Sequence, residues 1–195
     1  MVEQASRPVS SCYTQCLSYY ERNLPHWQPE GAALFITWRL HGSLPKSVEV
    51  HEKLPAGKAF AAMDRELGKA ASGPRWLQDE RVAGRVVAAL YYGASQLDLF
   101  DLRAWGLMIN HVHILVHPKA PISRTTRSIK NFSAREANAI LGRTGQPFWQ
   151  DESYDHWARG PQEVDRIVRY IEENRVAAGL VSRVEEWRWS SAYCK

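Results

Sequence analysis

Ten residues near the middle of the chain, Leu107-Met108-Ile109-Asn110-His111-Val112-His113-Ile114-Leu115-Val116, restrict what it can fold into more than any other stretch. Side chains alternate across a β-strand, so residues i and i+2 share one face roughly 6 to 7 Å apart. That spacing lets two imidazole nitrogens converge on one ion. Val112, Ile114 and Val116 hold the opposite parity and form an aliphatic wall, while His111, His113 and His117 share a polar side. A packed core is expected behind the wall. Taken alone, a His-x-His pair reads more readily as a chance pair on a half-solvated strand, so corroboration has to come from elsewhere in the chain.

The remaining chain reads as globular: 195 residues suit one domain, or one domain with an insertion, and 45% hydrophobic residues supply a core. No run approaches the roughly 18 apolar residues of a membrane span, and the first residues, with Glu3 and Arg7, lack the apolar segment of an export signal. A cytoplasmic location is therefore expected. Cys12, Cys16 and Cys194 are odd in number and form no Cys-x-x-Cys pair, which argues against a zinc ribbon or a disulfide framework and for reduced thiols. The net charge of +4 permits a polyanionic partner without requiring one.

Residues 1–30 read as a polar, irregular lead-in arm, and residues 31–195 as a single domain with an insertion at about 43–78 and a tail at about 181–195. Ala32 to Leu40 is β-branched and aromatic, hence a first strand. Within the insertion, Gly57 to Lys69 reads as one helical piece. Asp79 can cap a following helix whose Val82, Val86, Ala89 and Leu90 share a face, with Gly93 closing its end. Leu97 to Trp105 forms a second strand and an antiparallel hairpin with the histidine strand. Ile122 to Leu141 is a cationic helix carrying Arg124, Arg127, Lys130 and Arg135, and equally the pattern of a solvated helix face. Ser153 to Ala158 supplies a short fourth strand, and Gln162 to about Arg175 a last helix. The order strand, helix, strand, strand, helix, strand, helix is that of an α+β, ferredoxin-like split βαβ antiparallel sheet with an added C-terminal helix.

That last helix bears on the histidine pair. Val164, Ile167, Val168 and Ile171 form its apolar stripe, and Tyr170 and Asn174 lie one turn apart on the flank. Two imidazoles, an amide oxygen and a phenol can then meet. The plainer alternative is an amphipathic edge with a half-buried tyrosine and a helix-ending asparagine.

With these motifs in view, the chain resembles the single-tyrosine HUH transposases, and among them the REP-associated tyrosine transposases of the IS200-like group. The resemblance runs from about Leu24 to Ala192. It is carried by Leu24-Pro25-His26-Trp27, the Asn110 to Val116 stretch, Ile129 to Arg135, Phe148 to His156, Val168 to Val176, Gly179-Leu180-Val181 and Trp187 to Ser191. It implies an HUH-type fold whose C-terminal helix bears the tyrosine, His111 and His113 as metal ligands, Tyr170 as nucleophile and Asn174 as third ligand. It also implies a DNA hairpin formed by an imperfect palindrome with a short single-stranded foot. Ile109 and Arg175 stand where the family usually has proline.

The residue types then suggest a mechanism. A phenol with a pKa near 10 needs help to attack a phosphodiester, and a divalent ion on His111, His113 and Asn174 can give it by polarising a phosphoryl oxygen. The product would be a 5′-phosphotyrosine and a free 3′-hydroxyl. Mixed nitrogen and oxygen ligands suit Mg²⁺ or Mn²⁺. Single-stranded DNA would be held by Arg124, Arg127, Lys130 and Arg135 along the phosphates, with Trp149 and Trp157 under the bases. Trp187-Arg188-Trp189 is expected to pack on the body. Tyr154 is a rival nucleophile, although Asp155 beside it would point to the other face. Three alternatives stay open: a hairpin binder that does not cut, a hydrolase in which the histidine metal activates water with a nearby carboxylate, and a structural module that binds no metal. A monomer and a homodimer, with Tyr170 serving its own or a partner's site, are equally compatible with the sequence.

Overall fold

The computed structural model of the protein describes residues 16–21, 25–29, 31–44 and 56–193. Four antiparallel strands form the central sheet in the order β4-β5-β3-β6: β3 (Leu34–Arg39), β4 (Phe100–Leu107), β5 (His111–Pro118) and β6 (Tyr154–Trp157). Helices α1 (Ala56–Lys69), α2 (Glu80–Ser95), α3 (Ile122–Ile140) and α4 (Pro161–Ala177) connect and cover them. This is the α+β architecture expected from the order of elements, and the expected hairpin is present as the β4–β5 pair, with Leu107 opposite Val112.

The aliphatic parity behaves as the sequence dictates. Val112, Ile114 and Val116 join Leu34, Ile36 and Trp38 in a buried cluster completed by Val82, Val86 and Leu90 of α2 and Ile122 and Ile129 of α3. The polar parity departs from expectation. His111 and His113 are 0% exposed, because α4 and α1 close over that face, where Phe35, Ala104, Leu115 and Ile171 form a second, smaller cluster packed by Phe60, Val164, Ile167 and Val168. A half-solvated strand face has become an enclosed one.

Other differences have local causes. The segment expected to be irregular contains β1 (Cys16–Glu21) and β2 (Pro25–Pro29), an antiparallel pair whose two prolines stand at strand ends, where they remove fewest ladder hydrogen bonds. The three cysteines lie outside the described side chains. Asp79 caps α2 as expected, accepting from the Arg81 amide at 2.9 Å, but Gly93 does not end the helix. A Cβ there would lie 3.1 Å from the Phe100 ring, so the small residue makes room for β4 rather than for a turn. The tail packs on the body: Leu107 N donates to Trp189 O, Trp187 Nε1 to Leu107 O, and Ser191 N to Trp105 O, all within 2.8 to 2.9 Å. It covers the open edge of β4.

Candidate active site

The histidine pair is fixed from behind before anything approaches it from the front. Asn110 is fully buried and its Nδ2 donates to the Leu67 carbonyl at 3.0 Å, which can only accept. Its Oδ1 therefore faces His111 Nδ1, 2.6 Å away, and that nitrogen must carry the proton. Burial, then the neighbouring His113 ring, push His111 down to about 3, so the ring is neutral and its Nε2 is a lone pair. His113 Nδ1 meets Thr37 Oγ1 at 2.7 Å across the β3–β5 ladder, and its Nε2 faces the Asn174 amide nitrogen at 3.1 Å. Both rings thus turn their Nε2 atoms inward. Those atoms are 3.0 Å apart.

A third group meets them, and it is one the sequence did not single out. Asp64 of α1 is buried, with Oδ1 at 3.4 Å from His111 Nε2 and 3.3 Å from His113 Nε2. Burial pushes this carboxyl up, but its neighbours His113, His111 and Tyr170 together outweigh that and hold it well below the usual carboxylate range. Asp64 Oδ1 is buried without a hydrogen-bond partner. Lone pairs crowded this closely repel unless a cation sits among them. Ligands at right angles around an ion with bonds of about 2.1 Å stand about 3.0 Å apart, close to the spacings here. The group therefore fits a small divalent ion.

Tyr170 reaches the same point from α4. Its hydroxyl donates to Asp64 Oδ2, which also accepts from Asn174 Nδ2 at 3.1 Å. The Tyr170 ring stands 5.7 Å from the His113 ring of its own chain, centroid to centroid, and edge-on to Phe35. Asp64, His111, His113, Tyr170 and Asn174 thus meet within one chain. Burial first, then the Asp64 charge and hydrogen bond, push the phenol up, so it rests as a neutral hydroxyl. Asn174 turns its nitrogen to the site, and a half-turn of the amide would present the oxygen instead.

A family model described as "Transposase IS200 like" matches residues 75–174, just over half of the chain. The chain belongs to the IS200-like transposase family. Among solved structures it is similar to a REP-associated tyrosine transposase bound to a REP hairpin, with a TM-score of 0.53, 19% identity and coverage of 89% of this chain and 82% of that one. A second structure, from Deinococcus radiodurans and only provisionally described as a transposase, has a TM-score of 0.43 and 16% identity, covering 86% of this chain and 98% of that one. No curated protein matches. The likeness to the hairpin-bound structure extends the family's fold beyond the matched segment.

The other candidate residues do not converge on the site. Helix α3 lies against α2 on the opposite face of the sheet, with Arg124, Arg127 and Arg135 exposed. Lys130 Nζ donates to the carbonyls of Gln150 and Asp151 at 2.6 and 2.8 Å. Trp149 is 7% exposed and donates to Ser133 Oγ at 3.0 Å, which makes it a core residue of that layer. Trp157 is half-buried in the same layer, with the Arg159 guanidinium 5.8 Å above its ring. Arg127 and Lys130 line a groove of about 300 Å³ with Ile36 and Asp155. Tyr154 does share the histidine face, stacked on Phe60 at 4.1 Å, while Asp155 faces that groove. The signal that could have exposed Asp64 is its position in an apolar stripe with Phe60 and Leu67, spaced four and three residues apart.

Proposed function

We propose that this protein is a cytoplasmic enzyme that nicks and rejoins single-stranded DNA beside a hairpin through a 5′-phosphotyrosine. The observation that carries the reading is the meeting, in one chain, of the Tyr170 hydroxyl with Asp64 and the paired imidazoles. A divalent ion, Mg²⁺ or Mn²⁺, held by His111, His113 and an oxygen from Asn174 or Asp64, would supply polarisation of a phosphoryl oxygen. Tyr170 Oη attacks phosphorus, the bond to the 3′ oxygen breaks, and that oxygen leaves as a hydroxyl after taking a proton. The hydrogen bond to Asp64 aims the hydroxyl, and the proton it gives up passes through solvent to the departing 3′ oxygen. Phosphate ester energy is kept in the new bond, so rejoining needs no nucleotide.

A hairpin partner is supported by the REP hairpin bound to the similar structure. Arg124 and Arg127 would hold DNA on the α3 layer, and the strand would then pass around β6, the sheet edge opposite β4, to reach Tyr170. One observation favours a second reading: Asp64 is the carboxylate that a water-activating hydrolase would need beside its histidines. Incubation with a single-stranded hairpin oligonucleotide and Mn²⁺, followed by peptide mass mapping, separates the two. A DNA adduct on Tyr170 that vanishes in Tyr170→Phe, with hairpin binding retained, is expected; cleavage without any adduct would establish the hydrolase.

A further inference from the structure

Asp64 lies on α1, outside the residues 75–174 matched by the family model, and its two oxygens face different partners. Oδ1 has no hydrogen-bond partner and stands 3.3 to 3.4 Å from both inward imidazole nitrogens. Oδ2 takes the Tyr170 hydroxyl and the Asn174 amide. We propose that Asp64 bridges the site, Oδ1 acting as the third ligand of the divalent ion on His111 and His113 while Oδ2 holds and aims the Tyr170 hydroxyl. The proposal rests on the transposase reading of Tyr170 and the histidine pair and adds to it a residue from a separate segment of the chain.

Three features show that the carboxylate is placed rather than stranded. Asn110 ties α1 to the histidine pair, accepting from His111 while donating to Leu67, one turn beyond Asp64. One turn before it, Phe60 stacks on Tyr154 and stands edge-on to Phe35 at 5.4 Å, which clamps α1 on its other side. Asn174 donates to Oδ2 at 3.1 Å and so orients the carboxylate plane, leaving Oδ1 for the imidazoles. A carboxylate whose two oxygens serve an ion and a hydroxyl makes their separation a property of one rigid group. Ion and hydroxyl are thereby held by one carboxylate, and that side chain also joins α1 to α4.

The test needs no DNA. Mn²⁺ is titrated calorimetrically into the metal-free full chain and into Asp64→Ala, Asp64→Asn, His111→Ala and Tyr170→Phe. The wild type should bind one ion, Asp64→Ala should bind it at least about tenfold more weakly, and Tyr170→Phe should keep the wild-type affinity. With ring-labelled tyrosine, the resonance missing from Tyr170→Phe should move in metal-free Asp64→Ala, since the hydroxyl loses its acceptor. Should Asp64→Ala fail to fold, Asp64→Asn, which keeps the volume, carries the same affinity comparison. If His111→Ala binds Mn²⁺ like the wild type, the metal reading of the whole site fails. Loss of binding in His111→Ala with affinity within twofold of wild type in Asp64→Ala overturns the bridge and leaves the transposase reading standing. An unmoved Tyr170 resonance overturns it equally.

Discussion

Replacing His111 with Ala removes a ring that solvent does not reach, so two losses are expected where a surface histidine would give one. Metal-dependent cleavage should disappear, and stability should fall by about 1–3 kcal/mol in denaturant melts of the metal-free protein. A variant as stable as the wild type would mean that the face opens to water. Gly106 offers a second test at this scale. A Cβ there would lie 2.5 Å from Arg175 Nη2 and 3.3 Å from the Ile171 carbonyl of α4, and Arg175 is fully buried. Gly106→Ala should therefore press α4 away from β4, costing about 1–3 kcal/mol and lowering the yield of Tyr170 adduct, because the nucleophile rides on that helix. Wild-type adduct yield in this variant would show that α4 is placed by other contacts. In the sequence Arg175 stands out only as a departure from a usual proline. Its partner glycine, 69 positions away, is visible only in the fold.

At the scale of elements, α3 carries the cations but not the chemistry. Arg124 and Arg127 are exposed, whereas the Lys130 amine is engaged with the Gln150 and Asp151 carbonyls. Changing both arginines to Gln should weaken hairpin binding and reduce the salt slope by roughly 0.7 for each single-strand phosphate that is no longer neutralised, with thermal stability unaltered. An unchanged slope would return α3 to a merely solvated face. The spacing that makes α3 legible as a cationic helix says nothing about which side of the sheet it covers. That side is decided by the apolar stripe of Ile122 and Ile129 packing on the aliphatic wall, and it carries the arginines away from Tyr170. The two working faces of the last helix are legible. Its stripe ends in Ile171, its flank carries Tyr170 and Asn174, and both reach the site.

For the molecule as a whole, the ion should act as a staple, because its candidate ligands come from α1 and β5 while Tyr170 of α4 contacts the same carboxylate. Mn²⁺ at a hundred times its dissociation constant should add about 2.7 kcal/mol of stability, raising the melting temperature, and chelation should reverse the rise. A melting temperature indifferent to Mn²⁺ would count against any metal at this site. By itself the sequence determined the α+β order of elements, the hairpin carrying the histidines and the pairing of Tyr170 with Asn174. Each of these depends on a period of 2 or 3.6 residues, which is written locally. Only the tertiary structure decided that the histidine face is closed, that Asp64 meets the two imidazoles there and that Tyr170 of the same chain reaches that carboxylate. A buried carboxylate is recognised by what surrounds it, and the groups that the Asp64 oxygens face, from His111 to Asn174, lie between 47 and 110 positions away along the chain. No window of sequence holds them together; the closure of α1 and α4 over one sheet face does.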